Sequence, residues 1–492
     1  MLTSSIRFCV NLLGGIALLA YVSLALLSYV QTPALWRNHD TPRVIAFFEE
    51  LAAQFPVISL NRLLENNTTV LVSYCAPLAL ATAATVVLLV LLVRHERALD
   101  AFLVTLLLRW SLAFAAACLF AYPLFTQDFW LSAAWGRMVA AGANPYHALF
   151  TSETLNGLPL DHFPMAMSYG PGWALLSGAV MKLAGNSVLA TAILFKMILA
   201  AAWVAALVLV ERITEPRPIL DRCLAVALLG WVPLGVTQTV AEGHNDIIMA
   251  VLVLLWMLLA LRGRRTTPAA ALAASILTKY ATAPLMLVDA IAAWRMHRLS
   301  WVDLGVRYIL TGLIAFAIFA VFYRSPQFFD GTRIISEWHF LQPRDALGAV
   351  EEMLGISLHL AETAIAAGFA GLAAVCLIAL IRHPVSENVA KASLAIMTGI
   401  SFAGIAHLWP WYLVWTLALA ALLPAWWLSR LVIGVSMLAP FTLAFWWVEP
   451  LADAKEWAAL AMYGGALVWT VSTRSPVNVA TAQVGPRPQP KT

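Results

Sequence analysis

The sequence predicts an all-α polytopic integral membrane protein of about twelve to fourteen membrane segments, and three observations support that prediction. Of the 492 residues, 62% are hydrophobic and only 11% are charged, and the mean hydropathy is +0.82. Soluble domains carry roughly a quarter charged residues. The apolar residues fall into runs close to the length that crosses a bilayer as a helix. Short arginine-containing loops separate several of these runs, as expected where basic residues set the topology.

The net charge of +4 indicates little about partners, because the basic residues lie in short loops. No Lys/Arg-rich face alternates with aromatic residues, so we expect no nucleic-acid partner. The five cysteines lie inside or at the ends of apolar runs without metal-site spacing, and we interpret them as small buried hydrophobes. The sequence has no GxxxxGK[ST] loop, dinucleotide fingerprint or HExxH motif. A binding site for a soluble nucleotide donor is therefore not visible, and we expect no cofactor.

Two short apolar stretches decide the predicted topology. If Gly170–Ala184 crossed the bilayer, the arginine-rich loops 211–222 and 262–266 would face outward, against the charge bias. Treated as an interfacial or re-entrant segment, with Pro268–Ala292 as a hairpin, it leaves both loops in the cytoplasm and Asp128 outside. The other predicted segments are Phe8–Val30, Val70–Val93, Phe102–Phe125, Ser187–Val210, Cys223–Val240, Ile247–Leu261, Asp303–Phe322, Leu360–Ile381, Ala392–Ala406, Tyr412–Leu428, Leu431–Val448 and Trp457–Val471.

We expect residues 1–473 to form a single transmembrane domain. Its catalytic module is predicted at about 103–358, with further C-terminal spans over 359–473. The same topology places loop 294–299 in the cytoplasm. The tail 474–492 is proline-rich and lacks apolar periodicity, so we expect it to be disordered in the cytoplasm.

The stretch Gln127–His147 changes character directly after a predicted span. It brings an acid (Asp128), aromatic side chains, Arg137 and a Gly-Ala-Asn-Pro-Tyr breaker. Asn144-Pro145 should end a helix begun at Asp128, because proline pushes the residue before it out of the α region. The pattern predicts a short amphipathic helix at the membrane rim, with Asp128 at its start and any chemistry centred there.

The predicted topology collects most of the unusual polar residues on one face of the membrane. Each has an ordinary explanation as a helix cap, a snorkelling interface anchor or part of an aromatic belt. Their convergence on one side favours a functional site. These residues are Asp128, Arg137, Glu242, His244, Asn245, Asp246, Arg333, His339, Arg344, Asp345, His407 and Tyr412.

Lys279 lies within the otherwise apolar stretch Leu272–Val288. An ionised lysine costs roughly 2.5–3.5 kcal/mol near the bilayer centre, so such residues usually face a polar cavity and mark function. With Pro284 breaking the helix just after it, Lys279 is predicted near the apex of the Pro268–Ala292 hairpin, within reach of the outer cavity.

A water-facing acid among scattered cations suits the transfer of a group from a lipid phosphate. Positive or hydrogen-bond-donating groups stabilise the charge that develops on the leaving phosphate. The acid takes the proton from an acceptor hydroxyl as the new bond forms. No Asp-x-Asp pair accompanies Asp128, which argues against a metal.

Several motifs, in order along the chain, resemble those of GT-C fold glycosyltransferases. More narrowly, they resemble the polyprenol-phosphate-mannose-dependent α-1,6-mannosyltransferases of bacterial envelopes. The resemblance covers about residues 120–415, and Trp130 stands where the family commonly carries tyrosines. The matching segments are Asp128…Gly136…Gly142-Ala-Asn-Pro-Tyr146, Tyr169-Gly-Pro-Gly-Trp173, Gly243-His-Asn-Asp246, Lys279 with Pro284, Pro343-Arg-Asp-Ala-Leu-Gly348 and Pro410-Trp-Tyr-Leu413.

The resemblance implies a GT-C fold and an inverting transfer of a sugar, with mannose favoured. The donor would be a polyprenyl-phosphate sugar, and the acceptor an envelope glycolipid or glycan. It implies Asp128 as the general base and a multi-pass enzyme of the inner (plasma) membrane whose site faces the periplasmic or extracellular side. Lys279 is assigned to the phosphate. The candidate substrate-binding residues are Arg137, Asn144, Tyr146, Tyr169, His244, Asn245, Asp246, Lys279, Arg344, His407 and Tyr412.

Other functions are compatible with the same residues. A transporter or flippase of lipid-linked glycans would also use intramembrane charge and broken helices. Against it, the hydropathy shows no inverted repeat, and the polar residues gather on one side rather than at the midplane. An enzyme that uses another lipid-linked sugar, such as arabinose or glucose, and a catalytically inactive scaffold also stay open. A lateral opening from the bilayer to Asp128 would favour the enzyme, and an alternating-access path would favour the transporter.

Overall fold

Helices make up nearly all of the regular structure in the computed structural model. It describes residues 2–37, 46, 67–160, 165–336, 340–355, 357–405, 407–447 and 454–473. Within these ranges no strand forms, and an isolated bridge joins Phe340 to His407. The predicted tail 474–492 and His339 lie outside them. In chain order the helices are α1 (Leu2–Arg37), α2 (Asn67–Arg94), α3 (Ala101–Leu119), α4 (Asp128–Ala140), α5 (Ser152–Leu155), α6 (Pro171–Ala184), α7 (Val188–Thr214), α8 (Ile219–Trp231), α9 (Pro233–Val236), α10 (Asp246–Leu261), α11 (Thr267–Thr278), α12 (Leu285–Arg295), α13 (Trp301–Phe322), α14 (Asp330–Ser336), α15 (Pro343–Leu354), α16 (His359–Arg382), α17 (Ser386–Gly399), α18 (Leu413–Ala420), α19 (Trp427–Trp447) and α20 (Lys455–Ser472).

Seven helices in the described part of the chain are long and apolar enough to cross a membrane, namely α1, α2, α3, α7, α13, α16 and α19. The pair formed by α8 and the segment Pro233–Ala241 bends by 51° and would make an eighth span. Proline removes a helical hydrogen bond, so Pro233 accounts for the bend. The segments Asp246–Leu261, Thr267–Thr278 and Pro410–Ala420 are shorter apolar helices. The prediction of an all-α, multi-pass membrane protein is confirmed. The predicted number of membrane segments, twelve to fourteen, is larger than seven because it included such short helices.

In two regions the helix boundaries differ from those of the predicted spans. α3 ends at Leu119, short of its predicted end, and the non-helical segment 120–127 follows. The predicted spans Tyr412–Leu428 and Leu431–Val448 become the eight-residue α18 and the longer α19. Pro424 lies in the turn between them, where a proline prevents one helix from continuing into the next.

Two buried charged side chains hold the segment 120–127 in place before α4. In α7, Lys196 Nζ donates hydrogen bonds to the carbonyl oxygens of Ala121 and Ala241, the latter at 2.8 Å. Glu242 Oε2 accepts hydrogen bonds from the backbone N–H groups of Leu124 at 2.9 Å and Phe125 at 3.0 Å. Non-helical backbone is tolerated at membrane depth where protein groups satisfy its polar atoms. The hydrogen bonds from Lys196 and to Glu242 therefore fix the residue at which α4 begins.

A short helix begins at Asp128 as predicted, but protein encloses α4 on nearly every side, so the prediction of an amphipathic helix with an exposed polar face is wrong. α6 packs along it, and Trp173 Nε1 donates to Ser132 Oγ at 3.1 Å. From α7, the ring of Phe195 lies 5.8 Å from that of Phe129. Polar and small residues that suggested a solvated face instead pack against these neighbours. The buried residues of α4 are Phe129, Trp130, Leu131, Ser132, Ala133, Ala134, Trp135, Gly136 and Met138.

Candidate active site

Asp128 is the first residue of α4, and its side chain is 28% exposed. Its Oδ2 accepts a hydrogen bond from the Tyr169 hydroxyl at 3.1 Å. His244 Nδ1 lies 3.6 Å from the same oxygen. The backbone N–H of Asp128 donates to Thr126 Oγ1 at 3.0 Å. Tyr169 and His244 thus both contact the same carboxylate oxygen, while part of the side chain stays accessible.

Glycine lets the loop before α6 bring Tyr169 to this carboxylate. The Gly170 N–H donates to the Thr278 carbonyl at 3.0 Å, at the end of α11. A Cβ at Gly170 would lie 2.1 Å from the Leu277 carbonyl oxygen, so the two backbones can meet only with glycine here. The Tyr146 hydroxyl donates to the Tyr169 carbonyl at 2.7 Å. Contacts with Tyr146 of the first loop and with the end of α11 therefore fix the position of Tyr169.

Lys279 and Asp246 form an ion pair in the same region. Lys279 follows the last turn of α11 in an extended conformation, and its Nζ lies 2.7 Å from Asp246 Oδ1. Asp246 is fully buried at the start of α10 and also accepts a hydrogen bond from Trp415 Nε1. The ammonium lies 4.4 Å from the ring centroid of Tyr412 and 5.3 Å from those of Tyr169 and Trp415. Aromatic faces attract a cation, so this cage favours a charged lysine.

A row of stacked rings leads to His244. The imidazole stacks on the Trp411 ring with centroids 3.8 Å apart and planes 14° apart. Trp411 in turn stacks on Trp409 at 4.9 Å with an angle of 4°, and the Phe340 ring lies 4.6 Å beyond Trp409. The row joins the segment after α14 to the motif before α10. Flat aromatic faces of this kind also pack well against the apolar faces of sugar rings.

The turn that carries His244 depends on glycine. Gly243 has a φ of +79°, in the left-handed region that favours glycine. A Cβ there would lie 2.4 Å from Cδ2 of Phe129. The His244 N–H donates to the Gln238 carbonyl at 3.1 Å, which closes the turn behind the π-helical segment Thr237–Ala241. Single π-helical turns inside helices are frequent at functional sites.

The protonation of Asp128 is set by opposing influences. Burial raises the pKa of its carboxyl above the ordinary value, and the neighbouring Asp246 adds to the rise. The charge of Lys279 and the hydrogen bond from Tyr169 lower it again. Burial, with Lys279, also lowers the pKa of His244 well below its ordinary value, so its imidazole is neutral at pH 7. Lys279 and Tyr169 are thus the groups that favour an ionised Asp128.

Several buried polar atoms of the segment 238–246 have no hydrogen-bond partner within the described parts of the chain. They are both side-chain amide atoms of Gln238 and of Asn245, together with His244 Nε2 and Asp246 Oδ2. Gln238 and Asp246 are completely buried, and the other two are nearly so. An unsatisfied buried polar group costs about 1–3 kcal/mol. These atoms therefore require water or a ligand that offers both donors and acceptors.

Of the predicted substrate-binding residues that follow Lys279 in the chain, His407 and Tyr412 lie at the candidate site. His407 Nε2 lies 3.1 Å from the Tyr412 hydroxyl, so it contacts the cage around Lys279. Arg344 lies on α15, with its Nε 3.9 Å from Asp345 Oδ1. Among the described residues, no three His, Cys, Asp or Glu side chains are grouped as they would be around a metal ion.

The predicted residues of the first loop make contacts within the protein. Arg137 Nη1 donates to the carbonyl oxygens of Thr154 at 3.1 Å and Asn156 at 2.6 Å. Asn144 Nδ2 donates to the Phe322 carbonyl at 2.6 Å. These contacts hold the loop beneath α4 and α13. Substrate contacts by Arg137 and Asn144 stay predictions.

Sequence reasoning missed several members of this site. From the sequence, Trp411 is recognised only as part of the motif Pro410-Trp-Tyr-Leu413 and Trp415 is not singled out, although the two stand four residues apart on either side of Tyr412. Gln238 and Lys196 lay unnoticed inside predicted spans. The signal for both was present, because a polar residue that is buried at membrane depth needs a functional or structural partner.

A protein-family model described as "Alpha-(1->6)-mannopyranosyltransferase, N-terminal domain" matches residues 49–296, about half of the chain. The matched region contains Asp128, Tyr169, Asp246 and Lys279. The aromatic residues of 407–415 lie beyond it. No curated protein matches the chain.

Proposed function

The chain belongs to the alpha-(1→6)-mannopyranosyltransferase family, and from that membership we propose a polyprenyl-phosphate donor, an envelope glycolipid or glycan acceptor, and Asp128 as general base. The protein is a mannosyltransferase with several membrane-spanning helices. In the proposed step, the acceptor oxygen bonds to C1 of mannose while the bond from C1 to the phosphate oxygen breaks. The acceptor proton passes to Asp128, and polyprenyl phosphate leaves.

The position of Asp128 is the observation that carries this proposal. It is a partly accessible acid at the start of an enclosed helix, hydrogen-bonded by Tyr169 and close to neutral His244. A base that accepts a proton needs an ionised carboxylate with a free path to the acceptor hydroxyl. The hydrogen bond from Tyr169 favours ionisation and fixes the direction in which the carboxylate points.

Lys279 supplies the positive charge that a leaving phosphate requires. Its Nζ lies 2.7 Å from Asp246 Oδ1 and 4.4 Å from the ring centroid of Tyr412, in a largely buried position. Charge that develops on the phosphate is stabilised more strongly by a fixed cation in a dry site than by one in water. Inversion at C1 follows if the acceptor and the phosphate occupy opposite faces of the sugar, with Asp128 on the acceptor side.

Buried polar atoms that have no hydrogen-bond partner within the described residues support a binding position for the sugar ring. The side-chain amides of Gln238 and Asn245 each offer donors and acceptors, and sugar hydroxyls use both. The rings of Trp411 and Trp409 stack in a row with the imidazole of His244 and hold it in place next to Asn245. We assign mannose to the part of the site that contains the unpartnered polar atoms of His244 and Asn245. We also place the site on the periplasmic or extracellular side of the inner membrane, because the charge bias puts Asp128 outside.

The donor and the stereochemistry are tested together with purified protein. Polyprenyl-phosphate mannose, glucose and arabinose are offered in turn with a mannoside acceptor, and NMR identifies the anomeric configuration of the product. We expect transfer from the mannose donor with the opposite configuration at C1. Transfer that keeps the donor configuration, or equal use of a soluble nucleotide sugar, would contradict the proposal. Movement of the lipid-linked sugar across a vesicle without transfer would favour a flippase.

A further inference from the structure

A polar cavity separate from the candidate active site lies at the far end of α12. Its volume is about 490 Å³. The eleven residues of α12 extend for about 16 Å, so the cavity stands apart from Lys279, which precedes that helix. Its lining residues are Trp294, Arg295, Arg298, Leu299 and Pro384.

The lining of this cavity is cationic. Among the described residues that line it are two arginines and no acid. Arg295 Nε donates to the Ile381 carbonyl at 2.8 Å, and its guanidinium lies 5.2 Å from the ring centroid of Trp294. Both contacts hold the guanidinium without neutralising its charge. Guanidinium groups bind phosphate through paired hydrogen bonds, so an anion of this kind fits the lining.

Arg298 stands at a backbone position where glycine is usual. Its φ is +52°, in the left-handed region, and the N–H of the next residue, Leu299, donates to the Ala293 carbonyl at 3.2 Å. A residue with a Cβ is disfavoured in that conformation. An arginine at such a position points to a use for its side chain, which here lines the cavity.

The cavity lies beside the ends of two candidate membrane spans. α13 begins at Trp301 and α16 ends at Arg382, next to Pro384 of the lining. The rings of Trp294 and Trp301 lie 5.3 Å apart, and tryptophan is enriched at membrane–water interfaces. The described parts of the chain leave most of α13 exposed, and its exposed residues include Val302, Val306, Ile309, Leu313 and Phe316.

We propose that this cavity binds the phosphate of an anionic bilayer phospholipid, whose acyl chains lie along the uncovered face of α13. Arg295 and Arg298 hold the phosphate, and Trp294 and Trp301 border the glycerol region. The charge bias places loop 294–299 in the cytoplasm, and anionic lipids on that side attract basic residues near the membrane. The bound lipid would hold the C-terminal end of α12 at the lipid surface. The other end of this helix follows Lys279 in the chain.

Native mass spectrometry of the delipidated full-length protein tests this site. Phosphatidylglycerol is titrated against the wild type and against Arg295→Gln/Arg298→Gln. We expect the double variant to bind it at least about tenfold more weakly, in line with the contribution of two basic residues to anionic lipid binding. As the control, Arg94→Gln/Arg97→Gln removes two exposed charges from another predicted cytoplasmic loop and should bind like the wild type.

A third variant keeps the test valid if the double variant folds poorly. Arg298→Gly relieves the left-handed backbone, so it should fold at least as stably as the wild type and still bind phosphatidylglycerol more weakly. Equal binding of phosphatidylglycerol by wild type, double variant and Arg298→Gly would overturn the proposal. So would equal affinity for phosphatidylcholine, or displacement of the lipid by millimolar inorganic phosphate, which would indicate a site for free phosphate.

Discussion

Among single residues, Asp128 interacts with side chains from three other parts of the chain. Tyr169 comes from the loop before α6, His244 from the turn before α10, and Lys279 from the end of α11. Burial raises the pKa of the Asp128 carboxyl, and Lys279 and Tyr169 lower it. A general base must be ionised, so the acidic limb of the pH–rate profile reports this balance.

Tyr169→Phe should move the acidic limb of kcat/KM to higher pH. The hydroxyl lowers the pKa of Asp128, so its loss leaves burial less opposed and makes the carboxylate harder to ionise. The measurement is the pH–rate profile of purified protein. Tyr308→Phe is the matched control, because it removes a tyrosine–aspartate hydrogen bond of 2.7 Å at Asp289. An unshifted limb in Tyr169→Phe would show that the hydroxyl does not tune the base.

Lys279→Met should impair use of the donor and should also shift the acidic limb upward. Lys279 offers charge to the phosphate and lowers the pKa of Asp128. Removal of an intramembrane charge relieves its desolvation, although Asp246 then loses its partner. Donor affinity and turnover are measured alongside the thermal unfolding midpoint. Lys391→Met, which breaks an exposed pair with Glu387, is the control. Wild-type donor affinity and turnover would reduce Lys279 to a structural role.

At the scale of helices, the candidate site consists mainly of helix ends. Asp128 begins α4 and Asp246 begins α10, where the helix dipole favours a negative charge. Lys279 follows the last residue of α11, and Tyr412 precedes α18. Interrupted helices near a polar cavity let side chains and backbone groups point into it. The breaks therefore belong to the function of the fold.

Gly170→Ala should lower both stability and activity. A Cβ would lie 2.1 Å from the Leu277 carbonyl oxygen, so the loop must move away from α11 and take Tyr169 with it. Overpacking of this kind costs about 1–3 kcal/mol. Thermal unfolding and turnover are compared with Gly368→Ala on α16, where a Cβ meets no neighbour within 4 Å. If Gly170→Ala matched that control in both measurements, the close approach would not position the tyrosine.

Some helix boundaries could be predicted from the sequence, and others could not. The break at Lys279 and Pro284 was predicted, because proline and an isolated charge both leave a local signal. The end of α3 at Leu119 was not, since the apolar run continues and the helix ends through contacts with Lys196 and Glu242. Those residues lie far along the chain. The enclosure of α4 was missed for the same reason.

Across the whole molecule, composition was enough to predict an all-α membrane protein, because hydropathy alone limits which structures can cross a bilayer. The pairing of Lys279 with Asp246 and of Tyr169 with Asp128 could not be derived that way. Motif order along the chain suggested that these residues act together, but periodicity says nothing about which distant helices meet. Their distances appear only once the helices are packed.

The charge bias predicts that loops 211–222, 262–266 and 294–299 face the cytoplasm. Their arginines would otherwise oppose the preference of basic residues for that side. A cysteine introduced at Arg264 should therefore resist a membrane-impermeant maleimide added to intact cells and react after permeabilisation. Arg333→Cys, in a loop predicted outside, is the control that should react in intact cells. Labelling at position 264 in intact cells would overturn the predicted topology.

Turnover by Asp128→Asn tests the central claim most directly. The amide keeps the shape of the side chain but cannot accept the acceptor proton, so turnover should fall by about 10²–10⁴-fold, as is typical when a general base is lost. Binding of polyprenyl-phosphate mannose should be largely retained, and Asp221→Asn in the first turn of α8 should transfer mannose at the wild-type rate. If purified Asp128→Asn transferred mannose at close to the wild-type rate, the assignment of Asp128 as the base would be wrong.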